Sequence, residues 1–158
     1  MFPISHFNIT RTPFYYYDKT LLSNTLAKLI RLAGERNYHI HYAVKANANP
    51  EILKLIAASG IGADCVSGGE IKAALEAGFP AKKIVFAGVG KADWEIEYAL
   101  EKKIFCFNVE SAEELSVIEE LAKKKENIAS IALRINPNID AHTCLLYTSP
   151  SPRDGLLS

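Results

Sequence analysis

The sequence predicts an α/β fold, specifically a partial (β/α)8 barrel. Three observations carry this. Strand-like and helix-like segments alternate strictly along the chain. The C-terminal ends of successive strands fall near residues 45, 66, 87, 109 and 135, at intervals of 21, 21, 22 and 26. The strands are apolar runs joined by short loops, the pattern of a parallel sheet covered by helices. An even βα period suits a barrel, and a doubly wound sheet is the other arrangement it allows. A full barrel takes about 250 residues. In 158 residues only about five barrel strands are visible.

Taken in order, "FYYY" (14–17) reads as a strand. Asp18 is a good helix N-cap, and residues 19–34 carry a helical pattern through Leu22, Leu26, Leu29, Ile30 and Ala33. "HIHYAV" (39–44) is the next strand. Asn49 followed by Pro50 opens a helix, since Asn caps and Pro suits the first turn. That helix stops near Gly60. "ADCV" (63–66) is a strand, followed by a helix from about Gly69 to Ala77 that ends at Gly78. "KIVFA" (83–87), a helix over 92–102 and "FCFNV" (105–109) continue the series. Ser111 and Glu114 form a capping box that opens a helix to about Lys124. "SIALRI" (130–135) is the last strand.

Composition narrows the function classes. Hydrophobic residues make up 49% of the chain, and 18 basic residues balance 18 acidic ones. No basic stripe favours nucleic acid or an anionic membrane. The run "AKKKEN" (122–127) sits where a helix ends and reads as a solvated face. The three cysteines form no C-x-x-C pair, which argues against a disulfide framework or a zinc site. The N-terminal stretch lacks the pattern of a signal peptide, and no run reaches the roughly 18 apolar residues of a membrane span. The cytoplasm is the expected compartment.

In barrels and open α/β sheets, chemistry gathers at the C-terminal ends of the strands. Lys45, Ser67 to Gly69, Gly88 to Lys91, Asn108 to Glu110 and Arg134 all fall there. Lys45 is either a solvated charge or an amine mounted to condense with a carbonyl. Ser67 and Glu70 in "VSGGE" satisfy a capping box, while the two glycines also allow an anion to approach a helix start. Asp64, inside a short apolar strand, needs a buried partner if it points inward, and Arg134 is the candidate. Either could face outward. His39 and His41 share one strand face without a further ligand, so a structural role is expected. No G-x-G-x-x-G, P-loop or G-x-S-x-G motif occurs.

"YAVKANANPEIL", "GADCVSGGEIKAALEAGF", "KIVFAGVGK", "FNVES" and "LRINPNID" resemble, in this order and spacing, the diaminopimelate decarboxylase family. That family belongs to the fold-type III pyridoxal-phosphate group, with ornithine decarboxylase and alanine racemase. The resemblance covers about residues 10–143. It implies an alanine racemase-like barrel followed by a C-terminal β domain, a homodimer, and loss of CO2 from meso-diaminopimelate to give L-lysine. Lys45 matches the lysine that carries pyridoxal phosphate covalently. Asp64, Glu70 and Arg134 match charged positions lining the cofactor pocket in related decarboxylases. The Tyr-Gly-x-Gly after the lysine of alanine racemases is absent here, as is the cysteine of ornithine decarboxylases. Carboxynorspermidine decarboxylase is a nearer rival, and a non-catalytic pyridoxal-binding or regulatory relative is a different class of alternative.

The resemblance stops after Thr143. "CLLYTSPSPRDGLLS" (144–158) breaks the alternation and reads as a sequencing or assembly artefact. The family's ring-stacking histidine, phosphate-binding glycine loop, acidic partner for the ring nitrogen and C-terminal domain are not found. The expectation is therefore an incomplete barrel domain over residues 1–143, inactive alone.

Overall fold

The computed structural model describes residues 4–135. Strands β1 (His41–Ala43), β2 (Gly62–Cys65), β3 (Ile84–Phe86), β4 (Cys106–Val109) and β5 (Ile131–Leu133) form one sheet in the order β1-β2-β3-β4-β5. All four pairings are parallel. His41 pairs with Gly62, Ala63 with Ile84, and Val85 with Cys106, each 21 residues further on. A doubly wound sheet reverses its strand order part-way. This one does not, so it is a stretch of barrel wall.

Among the described residues six α-helices accompany it: α1 (Ile4–Phe7), α2 (Lys19–Gly34), α3 (Pro50–Ala58), α4 (Gly68–Glu76), α5 (Asp93–Lys102) and α6 (Ala112–Lys124). The starts of α2, α3, α4 and α6 are set by side chains that satisfy the first free N–H groups. Asp18 accepts from the Leu21 amide at 2.9 Å. Asn49 accepts from Glu51 and Ile52, with Pro50 in the first turn. Ser67 and Ser111 accept from Glu70 and Glu114. Helices α3 and α4 run into Gly60 and Gly78, whose φ values of 85° and 98° suit glycine.

Alternation along the strands sorts side chains to two faces. Ala63, Cys65, Ile84, Phe86, Phe107 and Val109 join the buried core with Ile71 and Ala74 of α4, Ile96 and Ala99 of α5, and Ile118 of α6. Asp64, Val85, Cys106 and Asn108 occupy the other face and stay out of that core. The apolar face therefore holds the layers together, and the second face is left for chemistry. Removing a ring such as Phe86, 0% exposed, costs about 3–5 kcal/mol in comparable cores.

The structure corrects the reading at the N-terminus. Residues 14–17 form no strand, and Tyr15 is 89% exposed. Aromatic residues favour strands because they pack on a pleated neighbour. Here they pack on each other: Phe7 meets Phe14 and Tyr16 at ring distances of 5.4 and 5.1 Å. Leu29, counted in the apolar stripe of α2, is exposed. The expectations for Thr143 and for residues 144–158 lie outside the described residues.

Candidate active site

A cavity of about 600 Å³ opens at the C-terminal ends of the strands. Lys45, Asp64, Gly88, Asn108, Glu110 and Arg134 are among its lining residues. They arrive from the ends of all five strands, with Asn108 and Glu110 both from β4, so the sheet order brings them together.

Lys45 is not the last residue of a strand. It sits in a 3-10 turn over Val44–Ala46, directly after β1. Val44 anchors that turn at 0% exposed, while Lys45 is exposed towards the cavity. The Tyr42 hydroxyl donates to the Asn47 carbonyl at 3.1 Å, and the Asn49 amide donates to Asn47 Oδ1 at 2.9 Å. The lysine thus stands on a turn pinned at both ends. Burial raises the Tyr42 hydroxyl above its ordinary pKa, which keeps it a donor.

Asp64 has one carboxylate oxygen, Oδ1, that is buried without a hydrogen-bond partner among the described residues. A buried acceptor without a donor is costly. Such an atom in a cavity wall points to a group that arrives from outside. The expected pairing of Asp64 with Arg134 does not form. The Arg134 guanidinium donates instead to both oxygens of Glu110, at 3.2 and 3.0 Å. Arg134 is exposed, and Glu110 is mostly covered.

Glu70 does not line the cavity. Its carboxylate accepts from the Val66 amide at 2.9 Å, while its own amide donates to Ser67. The same device recurs. Glu114 accepts from the Glu110 amide, and Glu95 from the Ala92 amide. Acidic groups suit a helix N-terminus electrostatically. Glu95 also reaches across to the Gly68 amide at 2.7 Å, so α5 is stitched to the start of α4.

A second cavity, about 430 Å³, lies at the opposite end of the strands and includes His39, His41, Gly62 and Phe105. His41 stacks on Phe105 at 6.3 Å. Burial holds its imidazole below the ordinary histidine range. Among the described residues no cluster suits a metal ion, and the N-terminal end of a barrel serves stability rather than chemistry.

The family described as "Pyridoxal-dependent decarboxylase, pyridoxal binding domain" matches residues 23–153. This chain belongs to that family. A diaminopimelate decarboxylase of Bacteroides thetaiotaomicron is 61% identical to this chain over 144 residues, 90% of this chain and 37% of the relative. One from Helicobacter pylori strain J99 is 49% identical over 137 residues, 87% of this chain and 34% of its own. The crystal structure of the Helicobacter pylori enzyme complexed with L-lysine superposes with a TM-score of 0.76 at 46% identity, covering 89% of this chain and 36% of that one. The enzyme from M. jannaschii, also with L-lysine, gives 0.78 at 38% identity over 87% and 33%. The chain thus spans about a third of the length of the relatives it matches.

The residues of this pyridoxal-binding domain fit the family's cofactor. The cavity supplies one amine at its mouth and one unpartnered acceptor in its wall. Sequence reasoning placed Glu110 and Lys91 at the strand ends but gave neither a role of its own. Lys91 lies in the β3–α5 loop, and its side chain is 1% exposed. It donates to the carbonyls of Gly88 and Asn108 at 2.7 and 2.8 Å and pairs with Glu114. Lysine is almost never fully buried unless paired. The signal was available only as a lysine beside "GVG", which also describes any polar loop.

Proposed function

We propose that this chain forms the cofactor-binding part of a diaminopimelate decarboxylase, and that the complete protein removes CO2 from meso-2,6-diaminopimelate to give L-lysine. One observation carries the reading. A single cavity at the strand ends gathers the Lys45 amine and the unpartnered Asp64 oxygen, in a chain 61% identical to such an enzyme.

When bound, pyridoxal phosphate supplies an electron sink for the pair left behind as CO2 departs. Lys45 would hold the cofactor through Nζ, and the pinned turn fixes where that nitrogen stands. Asp64 offers Oδ1 to a donor or positive centre on the bound group, which removes the cost of leaving it unpaired. Arg134 and Glu110 form a charged rim that orients polar substrate groups. Glu70 works at one remove, holding the start of α4.

The complete protein acts as a cytoplasmic homodimer in this reading. Among the described residues no helix is long and apolar enough to cross a membrane. The 158-residue chain alone is expected to bind without turnover, and residues 144–158 are proposed to be foreign to the barrel.

The test is borohydride reduction in the presence of pyridoxal phosphate, followed by peptide mapping and an assay of CO2 release from diaminopimelate. Label on Lys45, with turnover by the complete protein, is the expected result. Label without turnover in the complete protein would favour a binding or regulatory relative. No label on Lys45 would refute the reading.

A further inference from the structure

We propose that Lys91 is a positioning residue that sets the wall of the cofactor cavity opposite Lys45, through one buried network centred on its ammonium group. The proposal rests on the cofactor reading above.

Lys91 itself does not line the cavity, yet four residues that do are tied to it. Its Nζ holds the carbonyls of Gly88, at the end of β3, and Asn108, in β4. Its third partner is Glu114 Oε1. The other oxygen of Glu114 accepts from the Glu110 amide at 2.8 Å. The Glu110 carboxylate then holds Arg134, just beyond β5. An ammonium has three donors and no acceptor. Here all three are used, each on a different element.

The Lys91 side chain is 1% exposed and that of Glu114 12%. Little solvent screens the pair, so the two groups are held in one geometry. The Phe86 ring, 5.3 Å from Nζ, closes the remaining side. Surface lysines such as Lys123 and Lys124 pair with one glutamate each along their own helix. Those pairs join nothing distant. The Lys91 network spans three successive strand ends and reaches the cavity from behind. A displacement there moves carbonyls and carboxylates that a bound group would meet, and misplacement of about 1 Å can cost a site roughly 100-fold.

The test compares the 158-residue chain with a Lys91→Met/Glu114→Gln double variant. Removing both charges together avoids leaving one buried and unpaired. The glutamine side chain keeps an oxygen for the Glu110 amide. Two readouts are taken: the pyridoxal phosphate dissociation constant, and the share of borohydride-trapped label on Lys45 relative to surface lysines. Far-UV circular dichroism and the cofactor-free unfolding midpoint are measured alongside.

The expected result is an unchanged fold, a dissociation constant raised about tenfold or more, and label spread from Lys45 to other lysines. Unchanged affinity and labelling would overturn the proposal. Loss of the fold in the double variant would also overturn it, because the pair would then hold the domain rather than position the wall. Failure of the wild-type chain to label at Lys45 is a separate outcome. It would remove the cofactor reading on which the proposal rests.

Discussion

Replacing Gly62 with alanine tests the packing where β2 begins. A Cβ built there lies 2.4 Å from the Cδ2 atom of His41 and 2.5 Å from the Lys83 carbonyl oxygen. Optimal carbon contacts are about 3.5–4.0 Å, so the overlap is roughly 1 Å on two sides. The ring of His41 can rotate. The carbonyl of Lys83 cannot move without shifting the chain that enters β3. Overpacking of this kind costs about 1–3 kcal/mol, and a backbone obstacle places it in the upper half. We expect about 2–3 kcal/mol, or a fall of roughly 4–12 °C in midpoint for a domain of this size. Urea unfolding followed by circular dichroism measures it. Gly34→Ala is the control, because a Cβ there meets nothing within 4 Å. It should be neutral or stabilising by up to about 1 kcal/mol. Adding His41→Ala to Gly62→Ala should recover only part of the loss, since the carbonyl contact remains. A Gly62→Ala midpoint within about 0.5 kcal/mol of wild type would refute the reasoning.

Other expectations follow from single features. Burial holds His41 below its ordinary value of 6.5, so neutral His41 favours the folded state above that pH. This contribution is lost as pH falls below 6.5 through the folded value, and His41→Gln should flatten that part of a stability–pH curve. Burial pushes the Cys65 thiol up to about 12, so iodoacetamide at about pH 8 should leave it unlabelled until denaturant is added, as mass spectrometry of the peptides would show. Ser111→Ala removes the acceptor for the Glu114 amide and should cost about 1 kcal/mol in urea unfolding. Tyr42→Phe frees the Asn47 carbonyl. Its expected effect is weaker trapping of pyridoxal phosphate on Lys45 at near-normal stability, and equal trapping would count against the pinned turn.

The repeating architecture was legible because burial of one strand face and one helix stripe writes itself into sequence. Each strand core is apolar, and four of the helices, α2, α3, α4 and α6, open on a capping residue that the structure uses: Asp18, Asn49, Ser67 and Ser111. Residues 14–17 were misread because strand propensity depends on a neighbour that single residues do not reveal. The cavity's location was legible from the strand ends, which set Lys45, Asp64 and Arg134 around one opening. Pairing was not. Arg134 found Glu110 rather than Asp64, because both lie within reach only after β4 and β5 are side by side. Glu70 satisfied two patterns, and geometry gives its carboxylate to the Val66 amide. Lys91 was invisible as a buried group, since only the fold places Gly88, Asn108 and Glu114 around it.

The strand order has a consequence for how this domain is made. Each strand from β2 to β4 pairs with the one 21 residues before it. A ribosome adds about 5–20 residues per second, so a new βα unit emerges every one to four seconds or so. Closing short loops takes well under a millisecond, on the order of 10–100 ns for ten residues. Every emerging strand therefore meets a finished edge with the correct register and no later competitor. The wall can grow one stave at a time, and translation sets its pace. The partners of Lys91 are synthesised in the same order: Gly88 first, then Asn108, then Glu114.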